Sequence, residues 1–408
     1  MTSPQGSLAG LRVLDLTRVL AGPSCTQMLG DLGAEVIKVE RPLSGDETRT
    51  WGPPFVTDAD GNDTTEAGYF LCCNRNKRSV TIDISKPEGL ALIRRFLEQS
   101  DVVIENFKPG GLAKYGLSYD DLRHDFPALI YCSISGYGQT GPYAKRPGYD
   151  LLAQAMGGLM SMTGEADGPP VKVPVAINDI MTGMYAAVAI LAALRHRDAT
   201  GEGQHIDVAL LDVQVSWLAN QGLNYLTGGI VAKRMGTGHP NTAPYQAFET
   251  ADGFIIMGAN NNEQFARFCE LAGREDLRDD PRFATNSDRV FNRDALVPEI
   301  QKVIRERPSA YWVEELAKIS VTCGPINTID QVFEDPQVLS REMKVTMPHP
   351  MAGSGGVDLI GSPIKMSGTP VSYRRPPPAL GEHTDDVLEE VLGVDEAGRK
   401  ALRDDGII

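Results

Sequence analysis

Positive charge is scarce in this chain. Its 408 residues carry 39 lysines and arginines against 54 aspartates and glutamates, a net charge of −15. That balance excludes a nucleic-acid or anionic-membrane surface, since both need a basic footprint, but it leaves room for a local basic pocket around a small anion. Cysteine is sparse as well: six residues at 25, 72, 73, 132, 269 and 323, with no CxxC and no ligand-like spacing to a histidine. A zinc site has no support, no metal is expected, and structural thiols in a reducing, cytoplasmic compartment are the reading. GxGxxG is missing after the first strand, and no Walker GxxxxGK[ST] occurs. No Ser-His-Asp order, nucleophile elbow or internal repeat stands out. The opening MTSPQGSLAG has neither a charged segment nor an apolar one, so a secretory signal is not expected.

What is present describes an ordinary globular protein, 42% hydrophobic and 23% charged, of a length that suggests two domains. Residues 11–107 alternate short apolar runs with helical patterns. Strands are expected at Arg12–Leu16, Glu35–Val39, Ser79–Ile84, Asp101–Glu105 and Leu129–Ser133. A helix is expected at Ser24–Leu32, and Ser85-Lys86-Pro87-Glu88 has the form of a capping box opening another. This alternation predicts a mostly parallel sheet covered by helices, with ligands at the carboxyl ends of its strands. The loops there are Thr17–Pro23, Asn106–Gly111 and Ser135–Gly141, rich in glycine or proline, although such clusters are often plain turns. The polar stretch from about 40 to 70 is too long for an ordinary connection. Arg41, Arg49 and Trp51 are its residues suited to an anion and a flat group, with solvated surface the alternative for each. Gln204–Leu211 returns to strand, followed by a helix over Asp212–Leu226. The glycines and prolines of 233–248 mark a crossing into a second domain. The division is therefore 1–220 with 340–408 as a discontinuous large domain, 235–325 as a small one, and 221–234 and 326–339 as linkers.

Pro174–Leu194, PVAINDIMTGMYAAVAILAAL, predicts a helix of small and apolar residues that packs close in a core rather than crossing a membrane. Asp179 stands at its mouth, at the positive end of the dipole. Asp is also a favoured N-cap, and local sequence alone favours the cap over a catalytic carboxylate. Five of the six histidines sit in strand or polar contexts; His239, beside Gly238 in the interdomain crossing, is the one with a site-like setting. Basic residues follow the first strands closely, an arrangement able to hold a phosphorylated cofactor while a carboxylate works at its reactive end.

Several segments together are highly specific: LRVLDLTRVLAGPSCTQMLGDLGAEVIKVERP, NRNKRSVTIDI, VIENFKPGGLAKYGL, SISGYGQTGPY, INDIMTGMYAAVAILAAL and LGEHTDDVL. With these the sequence resembles the class III (CaiB/BaiF-type) CoA-transferases over nearly its whole length. The resemblance implies an α/β fold: a Rossmann-like parallel sheet in the large domain, a smaller α+β domain, and a ring-shaped chain in an interlocked homodimer. It implies acyl-CoA and a carboxylic acid as small-molecule partners, with coenzyme A as co-substrate and no nucleic acid or membrane. Asp179 matches the family's nucleophilic aspartate, which reverses the local preference for a cap. The CoA contacts carried over are Leu20, Ala21, Arg41, Asn74, Arg75, Asn76, Lys77, Asn106, Phe107, Lys108, Lys114, Ser135, Gly136, Tyr137 and Gly138. Lys114 stands where many members have arginine, and lysine lacks the bidentate grip on phosphate. Gly236, Gly238 and His239 are the candidate oxyanion segment.

Two departures narrow the substrate. Leu20 replaces the glutamine of formyl-CoA:oxalate members, and Gly236 and Gly238 do not reproduce their run of four glycines. Gly148-Tyr149-Asp150 replaces the Gly-His-Asp triplet of the racemase branch, so the second base for proton exchange is absent. TRTWGPPFV, IYCSISGYGQTGP, KRMGTGHPNTAPYQAF and RPPPALGEHT look like the succinate–hydroxymethylglutarate (glutarate) type. A dicarboxylate then needs a cation for its distal carboxylate, and Arg18 and Arg49 are the expected choices. The alternatives are an intramolecular CoA-transferase or isomerase of the mesaconyl type, and a non-catalytic acyl-CoA-binding protein.

Overall fold

The computed structural model describes residues 6–408 and divides into two units. The larger comprises the described residues up to Gly157, with Pro174–Trp217 and Pro336–Ile408; the smaller joins Gly158–Val173 to Leu218–Asp335. The sequence had put 158–173 with the large domain. Its hydrogen bonds explain the difference: Gly236 donates to the carbonyl of Gly164 at 2.9 Å, and Arg234 Nε to that of Glu165 at 3.3 Å.

Six strands form the sheet of the larger unit: β1 (Arg12–Asp15), β2 (Glu35–Glu40), β3 (Lys77–Thr81), β4 (Val102–Glu105), β5 (Ile130–Ser135) and β6 (His205–Ala209). They are all parallel, in the order β3-β2-β1-β4-β5-β6. The central strands are short, largely apolar runs buried on both faces, as a covered parallel sheet requires. One face carries α1 (Ala21–Asp31) and α4 (Ile177–Thr200), through Ala21, Cys25, Leu29, Ala186, Ile190 and Ala193. The other carries α2 (Pro87–Leu97) and, from the far end of the chain, α5 (Thr384–Leu392), through Leu92, Ile93, Phe96, Val387 and Leu388. This is the doubly wound order. The direction in which strands are added to the sheet reverses between the parallel neighbours β1 and β4, and the crevice for a ligand opens at the carboxyl ends of those two strands.

Three local expectations need correction. The third strand runs Lys77–Thr81 rather than Ser79–Ile84, because Lys77 pairs with Val36 and its side chain is buried by a carboxylate. Ser85 makes no capping box: its hydroxyl and N–H both turn back to Asp83, and Lys86 is the N-cap of α2. The helix expected over 212–226 is two, Leu210–Ser216 and Ala219–Gly228, parted where Ala219 adopts φ +44°. In addition, α4 is buried along one face only. Thr182, Gly183, Ala186, Ile190 and Ala193 face the core, while Met184, Tyr185, Val188 and Leu191 are exposed.

The smaller unit has a three-stranded antiparallel sheet of Tyr245–Glu249, Phe254–Gly258 and Thr322–Pro325, with the middle segment central. Helices cover it around Phe265, Phe268, Leu296, Ile300, Trp312 and Leu316.

Candidate active site

The mouth of α4 is built from two aspartates. The N-cap is Ala176, which has no side chain to cap with, and Asp179 is the third helical residue. The cap reading of Asp179 is thereby corrected. The first-turn donors go instead to Asp150, the opening residue of α3 (Asp150–Met156): its Oδ1 accepts from the N–H of Asn178 at 2.9 Å and of Asp179 at 3.4 Å. Buried Asn178 anchors this turn by donating its side-chain amide to the carbonyl of Leu210 at 3.1 Å.

Asp150 therefore takes the helix donors that the sequence assigned to Asp179. The electrostatic outcome follows. Asp179 is partly buried and accepts none of those N–H groups. Burial, and then the charge of Asp150, raise its pKa from 3.8 to about 7. The positive end of the helix dipole would by itself favour an ionised carboxylate. It serves the neighbour instead, and Asp179 titrates near neutrality. Across from it, burial and the Asp179 charge push the Tyr69 phenol up to about 12, and Trp51 lies edge-on to Tyr69 with ring centroids 5.2 Å apart.

Four residues along from Asp179, on the same face of α4, Gly183 lies against the start of α1. A Cβ there would fall 2.5 Å from the carbonyl oxygen of Ala21. Both helices run back from the carboxyl edge of the sheet, and the close approach at Gly183 brings their first turns together, with Asp179 one turn nearer the mouth of α4. The first turn of α1 leaves the N–H groups of Ala21 and Gly22 without intrahelical acceptors.

The expected loops meet at the switch point. Asn106 clasps the loop after β1, accepting from the N–H of Arg18 at 3.0 Å and donating to its carbonyl at 2.7 Å. Arg18 lies 5.5 Å over the Phe107 ring and pairs with Glu47. Glu105, raised to about 7 by burial, holds the loop after β4 through the N–H of Phe107 at 2.8 Å. Ser135 Oγ accepts from the N–H of Gly138 at 2.9 Å, and Asp207 from that of Gln139. A Cβ on Gly136 would fall 2.5 Å from Cα of Gly148, so this loop lies backbone to backbone with the segment that leads into Asp150. Tyr137 reaches α3 through a 3.4 Å contact of its hydroxyl with Met156 Sδ. Leu20 and Ala21 are buried at the start of α1, whereas Arg41, Lys108 and Lys114 are exposed, the last 4.4 Å over the Tyr115 ring.

Other expected residues are committed elsewhere. Arg49 is buried against the Phe70 ring at 3.6 Å, with Glu40 at 2.7 and 2.9 Å, Glu66 at 2.7 Å and the carbonyl of Pro378 at 3.1 Å. No donor is left for a substrate carboxylate, which corrects its assignment. Asn74, Arg75, Asn76 and Lys77 are also buried. Lys77 Nζ meets Asp15 at 3.2 Å and Asn74 Oδ1 at 2.8 Å; Arg75 meets Asp31 at 2.6 and 2.9 Å; Asn76 bonds Asp31 and the carbonyl of Ser372. As side chains these four are internal struts rather than CoA contacts. In the smaller unit, the amides of Gly236, Gly238 and His239 donate to the carbonyls of Gly164, Met235 and Tyr245 at 2.9–3.0 Å, so none is a free oxyanion donor. The sequence reading missed Asp150 and Tyr69. The signal for Asp150 was there, in the Gly148-Tyr149-Asp150 triplet that was weighed only for its lost histidine.

A partly buried carboxylate of raised pKa, standing at a helix N-terminus at the ligand edge of a doubly wound sheet, suits attack on an activated carbonyl. The chain belongs to CoA-transferase family III, whose sequence profile matches residues 8–384. It is a CoA-transferase, and acyl-CoA is its co-substrate. It is 50% identical to the succinate–glutarate CoA-transferase of Agrobacterium fabrum, over 96% of this chain and 97% of that one. It is 40% identical to the succinyl-CoA:mesaconate CoA-transferase of Haloarcula marismortui, over 98% and 100%. Among solved structures it resembles a CaiB/BaiF family protein from Brucella suis, with a TM-score of 0.83, 48% identity, and coverage of 95% and 100%.

Proposed function

We propose that this enzyme moves CoA from succinyl-CoA to a second dicarboxylic acid, glutarate first, with Asp179 as the nucleophile. The observation that carries the reading is the setting of Asp179, a carboxylate that titrates near neutrality where the first turns of α4 and α1 come together. The ionised carboxylate attacks the thioester carbonyl, the C–S bond breaks, and CoA leaves as thiolate from a succinyl–aspartyl anhydride. The thiolate attacks the aspartyl carbonyl, releasing succinate and leaving an aspartyl-CoA thioester. The acceptor carboxylate attacks that carbonyl and expels the thiolate, forming an acceptor–aspartyl anhydride; the thiolate then attacks the acceptor's carbonyl, giving the new acyl-CoA and releasing the Asp179 carboxylate. The free N–H groups of Ala21 and Gly22 at the start of α1 are the assigned oxyanion donors.

With Arg49 committed to Glu40 and Glu66, Arg18 is the remaining cation for the distal carboxylate. It is half-exposed and two residues before Leu20. The apolar stripe of α4, Met184, Tyr185, Val188 and Leu191, supports a homodimer in which a second copy covers it.

Incubation with succinyl-CoA followed by intact-mass analysis tests the reading. A CoA-sized adduct that maps to Asp179 and is absent from Asp179→Asn is expected; full transfer by that variant would overturn it. The identity with the mesaconate enzyme favours one second acceptor. Competition between glutarate and mesaconate for the adduct decides which acid is preferred.

A further inference from the structure

The turn that leads into α1 is one its sequence disfavours. Val19 sits at φ +70°, where an L-residue clashes with its own backbone and a β-branched one most of all. A glycine would take this conformation freely, so something must hold the valine in it. The N–H of Val19 donates to both carboxylate oxygens of Asp46, each at 3.2 Å. Asp46 is almost fully buried and fixed from other sides, by Lys38 Nζ at 2.9 Å and by the N–H and hydroxyl of Thr48 at 3.0 and 2.8 Å. Lys38 also donates to the carbonyl of Thr17 at 2.8 Å, so one ammonium ties both the loop and the carboxylate. On its other side, Val19 offers its carbonyl to the thiol of Cys73 at 3.6 Å.

These contacts come one residue before Leu20, the N-cap of α1. The direction in which α1 begins, and so where the N–H groups of Ala21 and Gly22 point, follows from the conformation at Val19. Strain of this kind persists only where surrounding structure over-determines it, and it gathers at functional sites. Asp46 touches no reacting atom.

We propose that Asp46 is a positioning residue for CoA transfer: from beneath the loop, its carboxylate holds Val19 left-handed and thereby aims the first turn of α1 at the Asp179 carboxylate. This rests on the reading of Asp179 as nucleophile.

The test uses Asp46→Asn and, because losing a charge beside Lys38 can harm folding, the charge-preserving Asp46→Glu. Each is made alone and with Val19→Gly in the full chain, with circular dichroism and melting measured beside kinetics. In a folded single variant kcat should fall about tenfold or more, while KM for succinyl-CoA changes less than about threefold. Adding Val19→Gly should restore most of kcat, because glycine adopts positive φ without a carboxylate to hold it. Unchanged kcat in a folded single variant would overturn the proposal. A loss that Val19→Gly fails to restore would do so too, leaving Asp46 as a strut of the fold. Asp179→Asn is run alongside: its activity reports on the nucleophile alone, whereas the Asp46 loss and its rescue are read whichever group attacks the thioester.

Discussion

Replacing Asp150 with asparagine should move the pH profile of the enzyme to lower pH while leaving the site assembled. Asparagine keeps an oxygen in the place of Oδ1, able to accept from Asn178 and Asp179. Gln154 donates to Asp150 Oδ2 at 2.6 Å, so the new NH2 replaces one acceptor at that position. The charge is what disappears. Asp179 stands at about 7 against 3.8 for a free aspartate, with burial the larger cause and Asp150 the smaller. Removing the smaller one lowers the pKa by less than half the difference, roughly one pH unit. A unit charge about 5 Å away at an effective dielectric of about 20 sets a ceiling of about 2.4 pH units. The attacking form is the ionised one, so kcat/KM rises with pH through this pKa, and that acid limb should shift down by about one pH unit in Asp150→Asn. The high-pH plateau should also fall severalfold, because a less basic carboxylate is a weaker nucleophile. The assay is kcat/KM for succinyl-CoA and glutarate between about pH 5 and 9. An acid limb that stays in place, or moves up, refutes the reasoning.

Asp179→Asn should stabilise the protein near neutrality. The folded pKa lies above the unfolded one, so the folded chain binds the extra proton, and stability falls as pH rises from about 4 through about 7. The variant escapes that loss: its melting point should exceed the parent's at pH 8, by about 2–4 °C for each kcal/mol, and match it near pH 4. Arg49→Met leaves Glu40 and Glu66 buried without their cation and should cost about 3–5 kcal/mol in denaturant titrations. In the folded fraction, the ratio of KM for glutarate to KM for a monocarboxylate should hold steady; a selective rise for glutarate would return Arg49 to the substrate. For Arg18→Ala the selective rise is the expected result. Gly183→Ala drives a methyl against the carbonyl of Ala21 and should cost about 1–3 kcal/mol together with a fall in kcat; wild-type values for both would show that the helices can part freely.

The doubly wound sheet was legible because its signals are local. Short apolar runs such as Arg12–Asp15 and Val102–Glu105 repeat at the spacing that parallel strands need, and the glycine loops fall at their carboxyl ends. The use of the polar and charged side chains was not legible. Arg49 read as a cation for the substrate, with solvated surface the alternative, and the Asn74–Lys77 run as CoA contacts, because cations and amides in polar segments are usually accessible. Their partners lie far off in sequence, Arg75 against Asp31 and Ile360, Arg49 against Pro378, and nothing local announces them. Glycines behaved similarly. Gly136 reads as a turn former, and only the fold shows that its missing side chain is what admits Gly148.

The Asp150–Asp179 pair shows why such a contact matters for the chemistry. A lone aspartate on the first turn of a helix would accept its N–H groups and become a poor base, ionised at every working pH but weakly nucleophilic toward a thioester. A second carboxylate that takes those donors reverses the effect, because one aspartate is satisfied by the helix while the other is left desolvated and facing a like charge. The unsatisfied one gains basicity, and with it nucleophilicity, while still ionising near neutral pH. The acyl transfer proposed for Asp179 would need that balance, since through an anhydride the same carboxylate attacks a thioester and later leaves as a stable anion. On this argument the missing cap at Ala176 is part of the design. A serine there would compete for the first-turn donors, loosen Asp150, and let Asp179 drift back toward an ordinary, less reactive carboxylate.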